Sequence, residues 1–194
     1  MNVAASENYI LDLLGKELSE TLFYHGLHHT LDVIDAALIL AKEEGIEDEE
    51  SLELLKTAAL FHDSGFINTY KNHEEEGCRI VRSSLPLFRY TDEQIEIICA
   101  LIMATKIPQN PKTHLEKILC DADLDYLGRD DFEPIAATLF QELFVRNLVS
   151  DENTWNNIQV KFIGAHQYYT ESSIKKREIK KQKHLNSLLE SIRL

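Results

Sequence analysis

His62 and Asp63 stand side by side at the polar end of the apolar run Ala58-Ala59-Leu60-Phe61. Burying an imidazole and a carboxylate is costly unless each gains a partner. A divalent cation serves both at once, because neutral imidazole nitrogens and ionised carboxylate oxygens are ordinary ligands of first-row ions. Further chelating side chains lie upstream and downstream. His29 closes the stretch Tyr24-His25-Gly26-Leu27-His28-His29, and Asp123 stands in Cys120-Asp121-Ala122-Asp123-Leu124-Asp125-Tyr126. Two histidines and two aspartates suit a five- or six-coordinate ion with open positions, whereas a closed tetrahedral zinc site usually brings cysteines. Cys78, Cys99 and Cys120 show no Cys-x-x-Cys pairing.

Such residues need elements that bring them together. The apolar periodicity is helical almost throughout, with no sustained alternation and no Asn-Gly or Asp-Gly hairpin signal, so an all-α bundle is expected. A first helix carries Ile10, Leu11, Leu14 and Leu18. A second carries Leu31, Ile34, Leu38 and Ala41 and stops at Glu44-Gly45. A third, capped by Asp48 or Ser51, carries Leu52, Leu55 and Ala59 and ends near His62. A polar connection covers about 64–72. A fourth helix covers about 73–85 and is broken by Pro86. Thr91 and Gln94 form a capping-box signature for a fifth. A sixth covers about 113–127, a seventh about 131–147 and an eighth about 151–165. The second and third helices should be antiparallel neighbours because their connection is short. His29 then meets His62 and Asp63 at one end of the bundle; periodicity alone does not say at which end Asp123 falls.

These blocks, in this order, resemble the HD superfamily of metal-dependent phosphohydrolases, over about residues 21–130. The resemblance implies an HD-domain helical bundle in which His29, His62, Asp63 and Asp123 hold a divalent ion (Mn, Fe, Co, Ni, Mg or Zn). Asp123 is preferred to Asp121 because it stands in the Ala-Asp-Leu context of the family's last ligand. Asp121 is expected beside the ligands, as an acceptor for a ligand histidine, an alternate ligand or a surface carboxylate. The Tyr24-His25-x-x-x-His29 block is similar to that of class I cyclic nucleotide phosphodiesterases, which implies His25 as the proton donor to the leaving oxygen. His73 follows the HD pair as in relatives that bind a second metal or the substrate phosphate. Lys106 and Arg129 are candidate phosphate contacts, since cations stabilise a transferring phosphoryl group. The chain departs from the HD-GYP pattern, reading Ala104-Thr105-Lys106 where that group has a histidine pair. His166 has no assigned chemistry.

The implied function is hydrolysis of a phosphate ester of a nucleotide or small phosphorylated metabolite. The alternatives are a cyclic-nucleotide phosphodiesterase, a metal- and nucleotide-binding regulatory protein without turnover and, more remotely, a di-iron oxygenase. Composition sets limits on partners. A net charge of −13 over 194 residues argues against a nucleic-acid surface, which wants clustered Lys and Arg. The start lacks a basic, then apolar, signal pattern, and no apolar run reaches the roughly 20 residues a membrane helix needs. Sparse unpaired cysteines fit a reducing compartment, and a cytoplasmic setting is expected. The chain is read as one HD-type domain over 1–170 and a basic amphipathic helical extension, 171–194, packed on it. That extension could also mediate a homodimer.

Overall fold

The computed structural model describes residues 1–192, and all regular structure among the described residues is helical. Helix α1 spans Val3–Glu17, and the Asn2 side chain caps it by accepting from the Ala5 N–H. Helix α2 (Leu27–Glu43) stops where Gly45 turns to φ 75°, a conformation that suits glycine, and Ile46 N–H reaches back to Ala41 O. Helix α3 (Glu49–Phe61) is capped by Asp48, which accepts from Ser51 N–H at 2.8 Å. A 3-10 turn at Ser64–Ile67 leads to α4 (His73–Ser84), and a second at Leu85–Phe88 leads to α5 (Asp92–Thr105), which opens with the Thr91–Gln94 capping box. Helix α6 (His114–Asp123) opens with a second capping box, Thr113 with Glu116. A further 3-10 turn at Asp125–Gly128 precedes α7 (Phe132–Val145), α8 (Glu152–Ala165) and α9 (Glu171–Ile192).

Three differences from the sequence pattern affect the site. Helix α2 is flanked by α3 and α6, so its buried strip runs Thr30, Val33, Ile34, Ala37, Leu40 and Ala41, while Leu31 is 45% exposed. The expected sixth helix breaks at Leu124, which leaves the helical region at φ −110° and ψ 19° and makes Asp123 the last residue of α6. The expected polar connection after Asp63 instead begins with a buried turn, Ser64-Gly65-Phe66.

Two apolar clusters fill the interior. The larger lies among α1 to α6, around Leu55, Phe61, Ile98, Ile102 and Leu119. The smaller lies under α7 to α9, around Tyr24, Tyr126, Leu127, Phe132, Trp155 and Ile163. The start of α2 and the ends of α3 and α6 meet at the seam between them.

Candidate metal centre

Helix α2 offers His29 from its first turn, α3 ends on His62 and Asp63, and α6 ends on Asp123. Because α6 packs against α2, the end of α6 reaches the same face of the bundle, which settles the direction that periodicity left open. His29 Nε2 lies 3.1 Å from Asp123 Oδ1 and 3.6 Å from Asp63 Oδ2. His62 Nε2 lies 3.3 Å from Asp63 Oδ2 and 3.6 Å from Asp123 Oδ1. Ligands at about 2.1 Å from one ion sit roughly 3 Å or slightly more from each other, so these edges have the size an ion requires. His29, His62 and Asp123 each offer an atom within 4.8 Å of the other two.

The donor chemistry fits a cation on three further counts. His62 Nδ1–H is held by the Ala59 carbonyl at 2.8 Å, which turns Nε2 toward the carboxylates, as an outer hydrogen bond orients a metal-ligating histidine. His62 Nε2 and Asp63 Oδ2 are buried polar atoms without a hydrogen-bond partner, and such atoms ask for an explanation. Helices α3 and α6 both direct their C-terminal, negative ends at the cluster, which favours positive charge there. The titration directions agree. Burial opposes a charge on His62, yet Asp63 and Asp123 outweigh it and raise its pKa well above the usual value. Burial likewise opposes ionisation of Asp123, but its bonds to His29 and His62 bring it down to about 2. Asp63 is held well below the usual carboxylate range against burial, by His62 and then His73.

A cavity of about 190 Å³ opens on the cluster and is lined by His25, Asp63, His73, Thr105 and Asp123 among others. His25 faces it from the turn before α2. Its Nδ1 lies 2.6 Å from Glu142 Oε1, and Glu142 Oε2 accepts the backbone N–H groups of Tyr24 and His25. Tyr70 donates to Glu142 Oε1 at 2.8 Å. Burial would raise the Glu142 pKa, but the His25 ring and the two N–H groups hold it at about 2. The Phe66 ring is stacked between His25 and His73, with centroids 4.3 and 3.9 Å away. His73 Nε2 lies 3.4 Å from Asp63 Oδ1, the oxygen opposite the one that faces His29 and His62.

Three expected site residues lie elsewhere. Lys106 follows the end of α5, where the chain turns to an extended ψ of 126°, and it pairs with Glu75 and Asn72 outside the cavity. Arg129 spends its donors on Asp32 and Asp131 and lines another cavity, shared with Tyr24, His28 and His29 but not with Asp63 or Asp123. Asp121 touches no histidine. It accepts from Tyr169 N–H and from the Thr170 N–H and hydroxyl, pinning the entry to α9, and burial raises its pKa despite these bonds. Glu142, Phe66 and Tyr70 carry the site's support and were not singled out from the sequence. The available signal for Glu142 was a lone acid between Phe140 and Leu143-Phe144 in an apolar helix.

Fold and cluster together define an all-α protein with a buried His/Asp cluster, a candidate cation site, at the seam of its bundle. The family model described as HD domain matches residues 26–125, and the chain belongs to that family. The family is one of metal-dependent phosphohydrolases. An uncharacterized protein of Clostridium beijerinckii is 36% identical over 77 residues, covering 38% of this chain. That match spans about half of the curated relative, 48% of its length. The crystal structure of Bacillus subtilis YpgQ in complex with ADP is similar at a TM-score of 0.64, over 98% of this chain and 97% of that one, with 16% identity. No described helix is long and apolar enough to cross a membrane.

Proposed function

We propose that the chain hydrolyses a phosphate ester of a nucleotide or small phosphorylated metabolite, with His29, His62, Asp63 and Asp123 holding a divalent ion. The observation that carries this reading is the convergence of four ligand atoms in which two, His62 Nε2 and Asp63 Oδ2, are buried without a partner. A bound ion of this kind lowers the pKa of water and offsets phosphoryl charge. The remaining steps fall to the chain's own side chains. Glu142 fixes the His25 ring through Nδ1, leaving Nε2 as the atom that faces the leaving oxygen and hands it a proton. Phe66 keeps the ring in plane, and the apolar walls Ile107, Leu124, Leu139 and Phe162 limit water beside it. His73 faces the outer oxygen of Asp63 and is placed to contact the phosphate. A nucleotide is the favoured substrate class because a protein of this fold, YpgQ, crystallised with ADP.

The purified chain is expected to contain a divalent metal, by elemental analysis, and His62→Ala and Asp63→Ala to lose it. Stoichiometric metal in both variants would remove the site assignment. Turnover is expected in a metal-supplemented screen of nucleoside mono-, di- and triphosphates, cyclic nucleotides and an aryl phosphate. Metal binding with no turnover of any of them would replace hydrolysis by a sensing role.

A further inference from the structure

The cavity beside the ion cluster has a neighbour across Phe162. Ile107, Leu124 and Phe162 are also walls of a second cavity of about 240 Å³, which continues to Gln109, His166 and Tyr169. Together the two exceed the size at which small-molecule sites begin, about 300 Å³. No lysine or arginine lines either one, so the charged end of a ligand belongs at the ion cluster and an uncharged group at the far end.

His166 is the polar feature of that far end, and its tautomer follows from its neighbours. Lys181 is buried, 1% exposed, with its amine 2.7 Å from the His166 carbonyl, 3.3 Å from His166 Nδ1 and 3.0 Å from Glu178 Oε2. An ammonium group has three hydrogens to give and no lone pair, so these three acceptors use all of them. Nδ1 therefore accepts, and the ring hydrogen sits on Nε2. That Nε2 has no partner in the protein and is closed off from solvent, so an acceptor meets it when the ring turns toward the cavity. Burial, with Lys181 beside it, lowers the pKa of this ring to about 4, so it is neutral near pH 7. A buried, unmatched N–H costs about 1–3 kcal/mol, which a ligand acceptor would recover.

We propose that this second cavity takes the planar organic group of the substrate, a nucleobase, with Phe162 as its apolar wall and the His166 Nε2–H donating to a ring nitrogen or carbonyl oxygen. The proposal rests on reading the ion cluster as the phosphate end. Gln109 and Tyr169 are already tied to backbone, to Cys120 O and Gln109 O, and Gln167 lines the cavity from an exposed position, which makes His166 the buried donor that discriminates among bases.

The test is calorimetric binding of the four common nucleosides and of ribose 5-phosphate to the manganese-loaded full chain, its His166→Leu variant and its Ala165→Phe variant. Ala165 lines the second cavity from an exposed position, so a phenyl group there fills it without entering the core, and this variant keeps the test valid if the histidine change unfolds the chain. At least one nucleoside is expected to bind the wild type. His166→Leu should lower its affinity, relative to that of ribose 5-phosphate, about tenfold, the worth of one hydrogen bond, and Ala165→Phe should abolish its binding. The proposal is overturned if no nucleoside binds the wild type, or if both variants weaken nucleoside and ribose 5-phosphate equally. Nucleoside binding without turnover of any ester would defeat the hydrolytic reading alone. Turnover that ignores the base would defeat the base pocket alone.

Discussion

Glu142 joins the two halves of the site. One carboxylate from α7 receives the Tyr24 and His25 N–H groups, the His25 ring and the Tyr70 hydroxyl. A glutamine could keep the two backbone N–H groups only by turning its amide NH2 toward the His25 ring and the Tyr70 hydroxyl, which would force Nδ1 to accept and move the ring hydrogen to Nε2. Its low pKa, about 2 against an ordinary 4.5, is a stability contribution on the order of 3 kcal/mol. The sign is that of a depressed carboxylate. The contribution is fully present above about pH 4.5 and is lost as pH falls toward 2. Denaturant titrations between pH 7 and 2 should show this loss in the wild type and a smaller one in Glu142→Gln. Equal acid profiles for the two proteins would contradict it. With a substrate in hand, the same variant should lower kcat more than it raises KM, and most on esters with poor leaving groups, because Glu142 acts on His25 and touches no ligand itself.

At the scale of elements, the site depends on close approaches that only a hydrogen side chain permits. A Cβ built on Gly65 would lie 1.9 Å from the His73 carbonyl oxygen and 2.9 Å from Gly77 N, both backbone atoms of α4. Gly65→Ala must therefore push α4 away from the turn after Asp63, taking His73 and the Phe66 stack with it. The expected result is a loss of several kcal/mol, read as a fall in the thermal midpoint, and weaker metal binding than in Gly15→Ala, where nothing lies within 4 Å. An unchanged midpoint would show that α4 is not seated as described. These two glycines look alike in the sequence, and the contrast marks where sequence reasoning stops. The helices, the Thr91–Gln94 capping box and the His62-Asp63 pair were legible because each is written in local spacing or in adjacent residues, whereas His29 and Asp123 joined that pair through the order of the family's blocks. The roles of Gly65, Phe66 and Glu142 were not, because they depend on pairs 8 to 118 positions apart, such as Gly65 with His73 and Tyr24 with Glu142. Lys106 and Arg129 misled for the related reason that a cation's partners, here Glu75, Asp32 and Asp131, are set by the fold.

For the whole molecule, α9 is the element whose composition differs most from the rest, a basic amphipathic helix expected to pack on an acidic body. In the fold its cations meet an acidic body: Lys176 pairs with Glu43, Arg177 forks onto the buried Asp125 at 2.7 and 2.9 Å, and Lys180 pairs with Asp130. The exposed pairs contribute little each. The anchoring is in the buried contacts: Asp121 fastens Thr170, Lys181 is enclosed, and Gly128 lies so close to α9 that a Cβ would sit 2.5 Å from the Arg177 backbone oxygen. Gly128 ends the 3-10 turn that follows Asp123, so α9 presses on the segment that holds the last of the proposed ligands. Removing residues 171–194 would take Lys181 from its acceptors at His166 and leave the buried Asp125 without its Arg177 fork, while Asp121 keeps Tyr169 and Thr170. The truncated chain should lose its single cooperative melting transition or shift it down sharply, and Gly128→Val, which keeps the helix but pushes it outward, should lower both the midpoint and the metal affinity by smaller amounts. A chain of residues 1–170 that melts and binds metal like the full protein would make α9 an accessory. Loss of both properties together would make it part of the metal-binding fold.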